Sequence, residues 1–242
     1  MSSLSIVIPA YNEETRLGPT LEAVAAFLRR KNFAFAEAIV VDDGSRDGTA
    51  ALVEAFARQH PSFRLLRNPE NRGKGYTVRH GMLEARGDWV LYTDADLSAP
   101  ISEFDKLDDA ANKAGARVAI GSRALDRSLV GVHQSAFREL SGRAFNVLMR
   151  VVTGLPFRDT QCGFKLFEAS AAREIFSRQT LDGFSFDVED LVIAKARGIK
   201  AVEVPVVWNN VEGTKVGMLT GIQSFADLAA IRWSALTGRY NR

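Results

Sequence analysis

Three short apolar runs in the first half of this 242-residue chain each end in a polar, turn-forming cluster, and this pattern constrains the fold most. The clusters are Tyr11-Asn12-Glu13-Glu14, Asp42-Asp43-Gly44-Ser45 and Asp94-Ala95-Asp96. A longer stretch with apolar residues at helical spacing follows each run. Alternating strands and helices predict an α/β domain with a largely parallel central sheet.

The same pattern predicts elements along the whole chain. We expect strands at Ser3–Pro9, Ala38–Val41, Phe63–Arg67, Trp89–Thr93, Arg117–Gly121, Asp159–Phe167 and Ala201–Val207. We expect helices at Thr15–Arg30, Asp47–Arg58, Gly75–Ala85, Ile101–Ala114, Ser135–Val152, Phe186–Ala196 and Ile222–Leu236. No linker, repeat or low-complexity tract interrupts the sequence, so residues 1–242 are predicted to form a single domain.

Composition excludes several classes of protein. Lys and Arg number 31 against 29 Asp and Glu, which gives no general electrostatic reason to bind nucleic acid. The single cysteine, Cys162, excludes an internal disulfide and a thiolate zinc site, and we expect it to be packed rather than nucleophilic. No apolar run approaches the ~20 residues that cross a bilayer. The N-terminus does not resemble a secretory signal, so we expect a cytoplasmic protein.

The acidic pair Asp94 and Asp96 is the first candidate site. The carboxyl ends of parallel strands lie along one edge of a sheet, which is where such sheets bind ligands. Carboxylates gathered there are costly unless a cation or hydrogen-bond donors neutralise them. Two carboxylates just past a strand can hold Mg²⁺ or Mn²⁺, which could neutralise a diphosphate, and a solvated turn is the alternative. An EF-hand is excluded because Ala99 and Asp105 stand where it needs Gly and Glu.

Two further clusters could bind a ligand or serve only local structure. Asp42 follows a strand directly, where it could accept from a base N–H or a ribose hydroxyl, whereas Ser45 or Asp47 could cap the next helix. The stretch NRGKG at 71–75 precedes a helix. Its glycines could let the backbone approach a phosphate, with Lys74 adding charge, and a flexible turn is the alternative. Neither a P-loop nor a G-x-G-x-x-G motif is present.

Basic residues after the fifth predicted strand could bind an anionic acceptor, because the arginine fork matches phosphate geometry. These residues are Arg123, Arg127, Arg138 and Arg143. Ordinary helix-surface charge is the alternative for the last two. The three histidines show no metal-ligand spacing.

Together these segments resemble the family 2 glycosyltransferases of GT-A fold. The matching strings, in order along nearly the whole chain, are IVIPAYNE (6–13), VVDDGSRDGT (40–49), NRGKG (71–75), DADLSAP (94–100), GSR (121–123), RDTQCGFKLF (158–167), FDVE (186–189), EVPVVWNNVEGTKV (203–216) and IRWSALTGRY (231–240). The later strings resemble the dolichyl-phosphate glucosyltransferase branch, beside the dolichyl-phosphate mannosyltransferases. The resemblance implies a Rossmann-like sheet flanked by helices, with residues 1–121 binding a nucleotide sugar and residues 122–242 binding the acceptor.

The resemblance also implies roles for individual residues. A nucleotide-sugar pocket would be lined by Pro9, Ala10, Tyr11, Glu13, Asp42, Asp43, Lys74, Gly75, Asp94, Ala95, Gln161 and Lys215. Asp96, with Asp94, would hold Mg²⁺ or Mn²⁺ on the diphosphate, and Arg123 and Arg138 would lie near the acceptor phosphate. Lys215 would belong to a mobile loop, 211–216, that closes over the donor.

The implied reaction is metal-dependent transfer of a hexose, with inversion, to a polyprenyl or dolichyl phosphate. The donor would be UDP-glucose, with GDP-mannose as the second candidate. A phosphomonoester with a second pKa of about 6 is largely ionised at pH 7 and needs no strong general base. The main alternative is a soluble enzyme with a protein, saccharide or small-molecule acceptor. A sugar nucleotidyltransferase, a two-carboxylate glycosidase and a non-catalytic binder are less consistent with the residues present.

The final predicted helix could touch a membrane. It places Phe225, Leu228 and Trp233 on one predicted face, near Arg232, Arg239 and Arg242. Packing of that face on the protein's own core is the alternative. We therefore expect a cytoplasmic enzyme, which is peripheral at the inner face of the membrane if this face of the helix contacts lipid.

Overall fold

Two sheets are present in the computed structural model, which describes residues 2–132, 147–209 and 218–241. The strands within those ranges are β1 (Ser3–Ala10), β2 (Phe35–Asp42), β3 (Phe63–Arg67), β4 (Trp89–Thr93), β5 (Val118–Ser122), β6 (Val130–Val132), β7 (Phe164–Glu168), β8 (Ala201–Pro205) and β9 (Trp208–Asn209). The central sheet has seven strands in the order β3-β2-β1-β4-β7-β5-β8, and β6 pairs with β9 separately. Only β7 runs antiparallel to its neighbours in the central sheet. The predicted α/β fold with a mostly parallel sheet is confirmed.

Helices cover both faces of the central sheet. Those in the described ranges are α1 (Leu17–Lys31), α2 (Thr49–Gln59), α3 (Lys74–Glu84), α4 (Phe104–Ala114), α5 (147–153), α6 (Ala169–Phe176), α7 (Phe186–Ala196) and α8 (Met218–Leu236), with a 3₁₀ turn at Arg239–Asn241. Successive side chains of a strand point to opposite faces. Ile6 and Ile8 of β1 therefore join one buried layer with α1 and α4, whereas Val7 joins the other with α3, α6 and α7. Burial on both faces explains why the strands read as continuous apolar runs.

Most predicted elements are present, and one predicted strand is largely wrong. Residues 159–163 are not part of β7, which begins at Phe164. The backbone amides of Arg158 and Asp159 donate to the Glu203 carboxylate at 2.8 to 3.0 Å, so a side chain takes the place of a strand partner. Helix α6 and the strands β6 and β9 were not predicted. Of the predicted helix Ser135–Val152, only residues 147–152 are described, and they are helical.

The predicted apolar face of the last helix is also wrong. Leu228 is buried in the core, whereas the Trp233 side chain is 70% exposed. Two residues five positions apart lie about 140° apart around an α-helix, so they cannot share a face. Neither the side chain of Phe225 nor Arg242 is among the described parts of the chain. Within the described ranges, no helix is both long and apolar enough to cross a membrane.

Candidate functional site

The carboxyl ends of β1, β2 and β4 meet at one edge of the central sheet. Asp42, the last residue of β2, lies opposite Ala10, the last residue of β1. Strand β4 pairs with β1 in parallel on the other side and ends at Thr93, directly before Asp94. The prediction that the three polar clusters gather at one edge is therefore confirmed. Pro9 and Ala10 are buried there, and Tyr11 is half-buried.

Asp42 uses one carboxylate oxygen in a local turn and keeps the other without a hydrogen bond. Its Oδ1 accepts from the Ser45 amide at 3.1 Å, which forms the turn after β2. Its Oδ2 is buried and has no hydrogen-bond partner, and the Arg67 Nε lies 3.7 Å away. A buried carboxylate oxygen without a hydrogen bond is costly. This oxygen is suited to an N–H or O–H donor that a ligand would supply.

Asp43 supports the neighbouring loop. Its carboxylate accepts from the Asn68 side chain at 2.8 Å, the Arg72 amide at 3.0 Å and the Gly73 amide at 2.9 Å. The side chain is buried. Asp43 thus fixes the path of the chain into α3 and the position of Lys74.

The glycines before and within α3 serve close packing. Gly73 has φ +101°, and a Cβ at Gly75 would lie 2.5 Å from the Leu181 carbonyl oxygen. The amides of Gly75 and Tyr76 donate to the Asp182 carbonyl at 2.8 and 3.3 Å. In this structure the start of α3 is occupied by backbone, so its phosphate-binding role stays a prediction that would require Asp182 to move.

Lys74 brings a positive charge to the site. Its Nζ lies 2.8 Å from Asp94 Oδ1 and about 5.7 and 5.8 Å from the ring centres of Tyr92 and Phe184. Burial disfavours the charged amine, but the nearby carboxylates of Asp94 and Asp187 outweigh it and raise the pKa of Lys74. The side chain remains partly exposed, so the ammonium group is charged and within reach of a bound anion.

The two aspartates of the Asp94-Ala95-Asp96 motif stand in different surroundings. Asp94 Oδ1 also accepts from the Tyr92 hydroxyl at 2.9 Å, and a Cβ at Gly163 would lie 2.1 Å from Asp94 Oδ2. Asp96 is partly exposed, and among the described residues its Oδ1 accepts one local hydrogen bond, from the Ser98 amide at 2.9 Å. Asp94 is therefore held by the protein, whereas Asp96 is presented at the surface.

The oxygen donors of these aspartates fit a hard divalent cation such as Mg²⁺ or Mn²⁺. Among the described residues, no group of three Asp, Glu, His or Cys side chains is placed to hold a metal alone. A cation at Asp96 would complete its coordination with ligand oxygens and water, as Mg²⁺ does with substrate phosphates.

A buried ion pair that sequence reasoning missed lies beneath this edge. The Lys165 Nζ donates to Asp187 Oδ1 and to the Cys162 carbonyl, the latter at 2.7 Å. Both charged side chains are almost fully buried. In the sequence they look like ordinary charges on a strand and a helix. The Cys162 side chain is buried, which confirms the prediction that it is packed, and burial raises the pKa of its thiol to about 12.

Arg123 is engaged by an acidic partner. Its Nε and Nη2 donate to the two carboxylate oxygens of Asp159 at 2.6 and 2.8 Å, and its guanidinium lies 5.3 Å from the Trp208 ring centre. Burial opposes the charge, but Asp159 raises the pKa of Arg123. The Gln161 amide donates to the same carboxylate at 3.3 Å.

The remaining predicted residues divide into one described pair and three undescribed positions. Glu13 pairs with Arg16 through both carboxylate oxygens at 2.8 Å, and its amide donates to the Thr49 hydroxyl at 2.8 Å. Arg138, Arg143 and Lys215, with the predicted loop 211–216, lie outside the described residues.

Comparison with known proteins identifies the family. The model of the family "Glycosyl transferase family 2" matches residues 5–176. The chain belongs to this family. A dolichyl-phosphate beta-glucosyltransferase of Trichomonas vaginalis is 39% identical to this chain over 94% of the chain and 70% of that protein. The dolichyl-phosphate beta-glucosyltransferase of Saccharomyces cerevisiae is 36% identical over 98% of the chain and 76% of its own length.

Solved structures of two sugar-transferring synthases share the fold. Glucosyl-3-phosphoglycerate synthase from Mycobacterium tuberculosis, in complex with Mn²⁺, UDP-glucose and phosphoglyceric acid, superposes with a TM-score of 0.69 at 18% identity, covering 96% of this chain and 80% of that one. Mannosyl-3-phosphoglycerate synthase from Rubrobacter xylanophilus gives 0.69 at 20% identity, covering 98% and 75%. The GT-A fold implied by the sequence is confirmed.

Proposed function

We propose that this family 2 glycosyltransferase moves glucose from UDP-glucose to the phosphate of a polyprenyl or dolichyl phosphate, with inversion at the anomeric carbon. The observation that carries the proposal is a single edge of the sheet. On it lie the buried Asp42 oxygen without a hydrogen bond, the charged Lys74 and the Asp94–Asp96 pair. The glucosyl and dolichyl-phosphate specificity is supported by relatives at 36 to 39% identity that carry that name.

The donor would lie along the carboxyl ends of β1, β2 and β4. The Asp42 Oδ2 would accept a base N–H or a ribose hydroxyl. The walls of that pocket would be Pro9, Ala10, Tyr11, Glu13, Gly75, Ala95 and Gln161, with Lys215 approaching from the loop 211–216. Lys74 would exchange part of its interaction with Asp94 for the diphosphate, since a partly exposed ammonium group can turn to a nearby anion.

Asp96, supported by Asp94, would hold the divalent cation. When bound, the ion would neutralise the charge that builds on the departing nucleoside diphosphate. A protein of the same fold is known with Mn²⁺ and UDP-glucose bound together, which supports a divalent cation in this site. Transfer assays with each ion distinguish Mg²⁺ from Mn²⁺.

The acceptor phosphate would be positioned by arginines of the half formed by residues 122–242. Arg123 is rigidly oriented by Asp159 and would offer its remaining Nη1 to the phosphate, and Arg138 would contribute a second contact. Holding an ionised phosphate in line with the anomeric carbon supplies much of the catalysis, so the chain needs no strong base. A polyprenyl acceptor places the reaction at a bilayer, and we place the enzyme peripherally on its cytoplasmic side.

Transfer assays with purified protein test the proposal. UDP-glucose and GDP-mannose would be compared as donors, each in the presence of Mg²⁺ or of Mn²⁺. The acceptors would be a short polyprenyl phosphate and, in separate reactions, phosphoglyceric acid. We expect a β-linked glucosyl phosphate from UDP-glucose and the lipid phosphate. Transfer from GDP-mannose alone would overturn the donor assignment, and transfer to the soluble acceptor alone would overturn the acceptor assignment.

A further inference from the structure

An apolar surface lies outside the site described above, on α5 and α8. Its side chains are 39 to 77% exposed, although all are large and hydrophobic. We call this set the α5–α8 surface, and it consists of Val147, Leu148, Val151, Trp233 and Leu236. Isolated exposed hydrophobic residues are normal, but a group of this size on two helices of one layer indicates an interaction site.

The two helices belong to one layer and are joined through the end of α7. Met149 of α5 and Ile231 of α8 lie in the same buried cluster, so both helices pack inward on the same face of the sheet. The Lys195 Nζ donates to the Gly154 carbonyl just after α5 at 2.7 Å. The Arg197 Nη1 donates to the Asn241 carbonyl just after α8 at 3.0 Å. The carboxyl ends of α5 and α8 therefore both lie beside the end of α7, on one face of the sheet.

The outer side of α8 is apolar instead of polar. Positions three and four residues apart share one face of a helix. The exposed residues at that spacing are Ala226, Ala229, Ala230, Trp233 and Leu236. The inner side is also mainly apolar: Leu228 and Ile231 are buried there, and the buried polar residues are Asp227 and Ser234. A helix that is hydrophobic on both sides is normally covered on both, so the outer side needs an occupant.

Charge identifies that occupant. Four exposed basic residues lie on α5, α7, α8 and the final 3₁₀ turn, and they are Arg150, Lys195, Arg232 and Arg239. Within residues 147–158 and 226–241, the described parts of this region, Asp227 is the only acidic residue, and it is buried. An exposed tryptophan and leucine flanked by Lys and Arg suit the boundary between water and an anionic bilayer.

We propose that the α5–α8 surface docks this protein onto anionic membranes. Trp233 and Leu236 enter the headgroup boundary, while Arg232 and Arg239 contact lipid phosphates. This inference rests on the proposed function only for the expectation that a bilayer is near. Its test uses vesicles without donor or polyprenyl phosphate, so the two proposals can fail separately.

Vesicle flotation measures the proposed contact. The full chain would be mixed with vesicles of phosphatidylcholine alone or with about one third phosphatidylglycerol. We expect binding to the anionic vesicles that weakens with added salt. The double variant Trp233→Ser/Leu236→Ser should bind at least about tenfold more weakly, because the inserted apolar area is lost. The control Leu83→Ser removes an exposed apolar side chain from α3 and should bind as the wild type does.

A second pair of variants tests the charges. Arg232→Glu/Arg239→Glu should lose the preference for anionic vesicles. The matched control Arg29→Glu/Arg30→Glu changes the same number of charges on the exposed side of α1, which lies on the other face of the sheet. This control should bind anionic vesicles severalfold more tightly than Arg232→Glu/Arg239→Glu. Circular dichroism and melting curves would confirm that every variant is folded.

Tryptophan fluorescence locates the contact. Trp233 is the most exposed of the three tryptophans, so its emission should shift to the blue when anionic vesicles are added, and Trp233→Phe should abolish the shift. The proposal is overturned if the wild type ignores anionic vesicles, or if the serine double variant binds as well as the wild type. It is also overturned if the wild type self-associates in the absence of lipid and Trp233 is shielded in that oligomer. That result would assign the surface to a second copy of the chain.

Discussion

Strand β2 carries a buried carboxylate near each end, and the two carboxylates differ in how fully they are hydrogen-bonded. Glu37, near the amino end, accepts hydrogen bonds from the Ser5 hydroxyl at 2.8 Å, Arg64 Nε at 2.9 Å and Arg86 Nη2 at 2.8 Å. Asp42, at the carboxyl end of the same strand, keeps one buried oxygen without a hydrogen bond. The hydrogen bonds at the amino edge thus stabilise the fold, whereas the carboxyl edge keeps an acceptor that a ligand could use.

The pKa values follow the same division. Burial alone would raise the pKa of Glu37, but hydrogen bonds from Arg86, Arg64 and Ser5 lower it from 4.5 to about 2. Asp190 lies beside Asp187, below the carboxyl edge, and has a buried oxygen without a partner. Burial and neighbouring carboxylates raise the pKa of Asp190 well above its usual value. A raised pKa keeps the Asp190 carboxyl uncharged to a higher pH, and strongly shifted pKa values are typical of functional sites.

The largest effect is expected at the carboxyl edge. Asp96→Asn should lower metal-dependent transfer about a thousandfold, because charge on the leaving group is no longer neutralised. Its melting temperature should match that of the wild type, since Asp96 is partly exposed and makes only a local hydrogen bond. Unchanged turnover with a normal melting curve would remove Asp96 from the metal site.

At the amino edge, the same kind of substitution should change stability instead. Glu37→Gln leaves two arginines without their anionic partner and should lower the free energy of unfolding by about 3 kcal/mol. For a domain of this size the melting temperature should fall by roughly 6–12 °C. Activity per folded molecule should be retained. A fall in activity of folded enzyme comparable to that of Asp96→Asn would contradict the division between the two edges.

Acid should weaken the amino edge in a defined range. Because folding lowers the pKa of Glu37, its contribution is complete above pH 4.5 and is lost as the pH falls towards about 2. Between about pH 5 and about pH 3 the loss should be about 2 kcal/mol. Urea unfolding of the wild type and Glu37→Gln at both pH values measures this contribution. Equal acid sensitivity in the two proteins would show that Glu37 is not its source.

Asp42→Asn should give the smallest effect. The Asn carbonyl oxygen can keep the bond from the Ser45 amide, but its NH₂ group then replaces the Oδ2 acceptor. A hydrogen bond to the nucleotide is lost, so the KM for UDP-glucose should rise about tenfold with little change in kcat. The free energy of unfolding should change by less than about 1 kcal/mol, since the lost charge had no hydrogen bond at Oδ2. Steady-state kinetics and urea unfolding separate the two quantities. A strongly destabilised Asp42→Asn would make the two ends of β2 alike.

The sequence predicted those features that follow directly from strand ends. Asp42, Asp94 and Asp96 come immediately after apolar runs, so a parallel sheet places them at one edge. Lys165 and Asp187 were missed because their burial depends on β7 lying antiparallel between β4 and β5, which no local pattern specifies.

Two other predictions have different outcomes. The face of α8 was misassigned because α8 is apolar on both sides, so its sequence does not indicate which side packs inward. The single-domain organisation and the roles of Arg138 and Lys215 stay predictions.

Binding of Mn²⁺ and UDP tests the contrast between the two edges most directly. Calorimetric titration of Mn²⁺ in the presence of UDP would compare the wild type, Asp96→Asn and Glu37→Gln under conditions where all three are folded. We expect the wild type and Glu37→Gln to bind Mn²⁺ alike and Asp96→Asn to bind it at least about a hundredfold more weakly. Wild-type affinity in Asp96→Asn, or loss of binding in folded Glu37→Gln, would contradict this expectation.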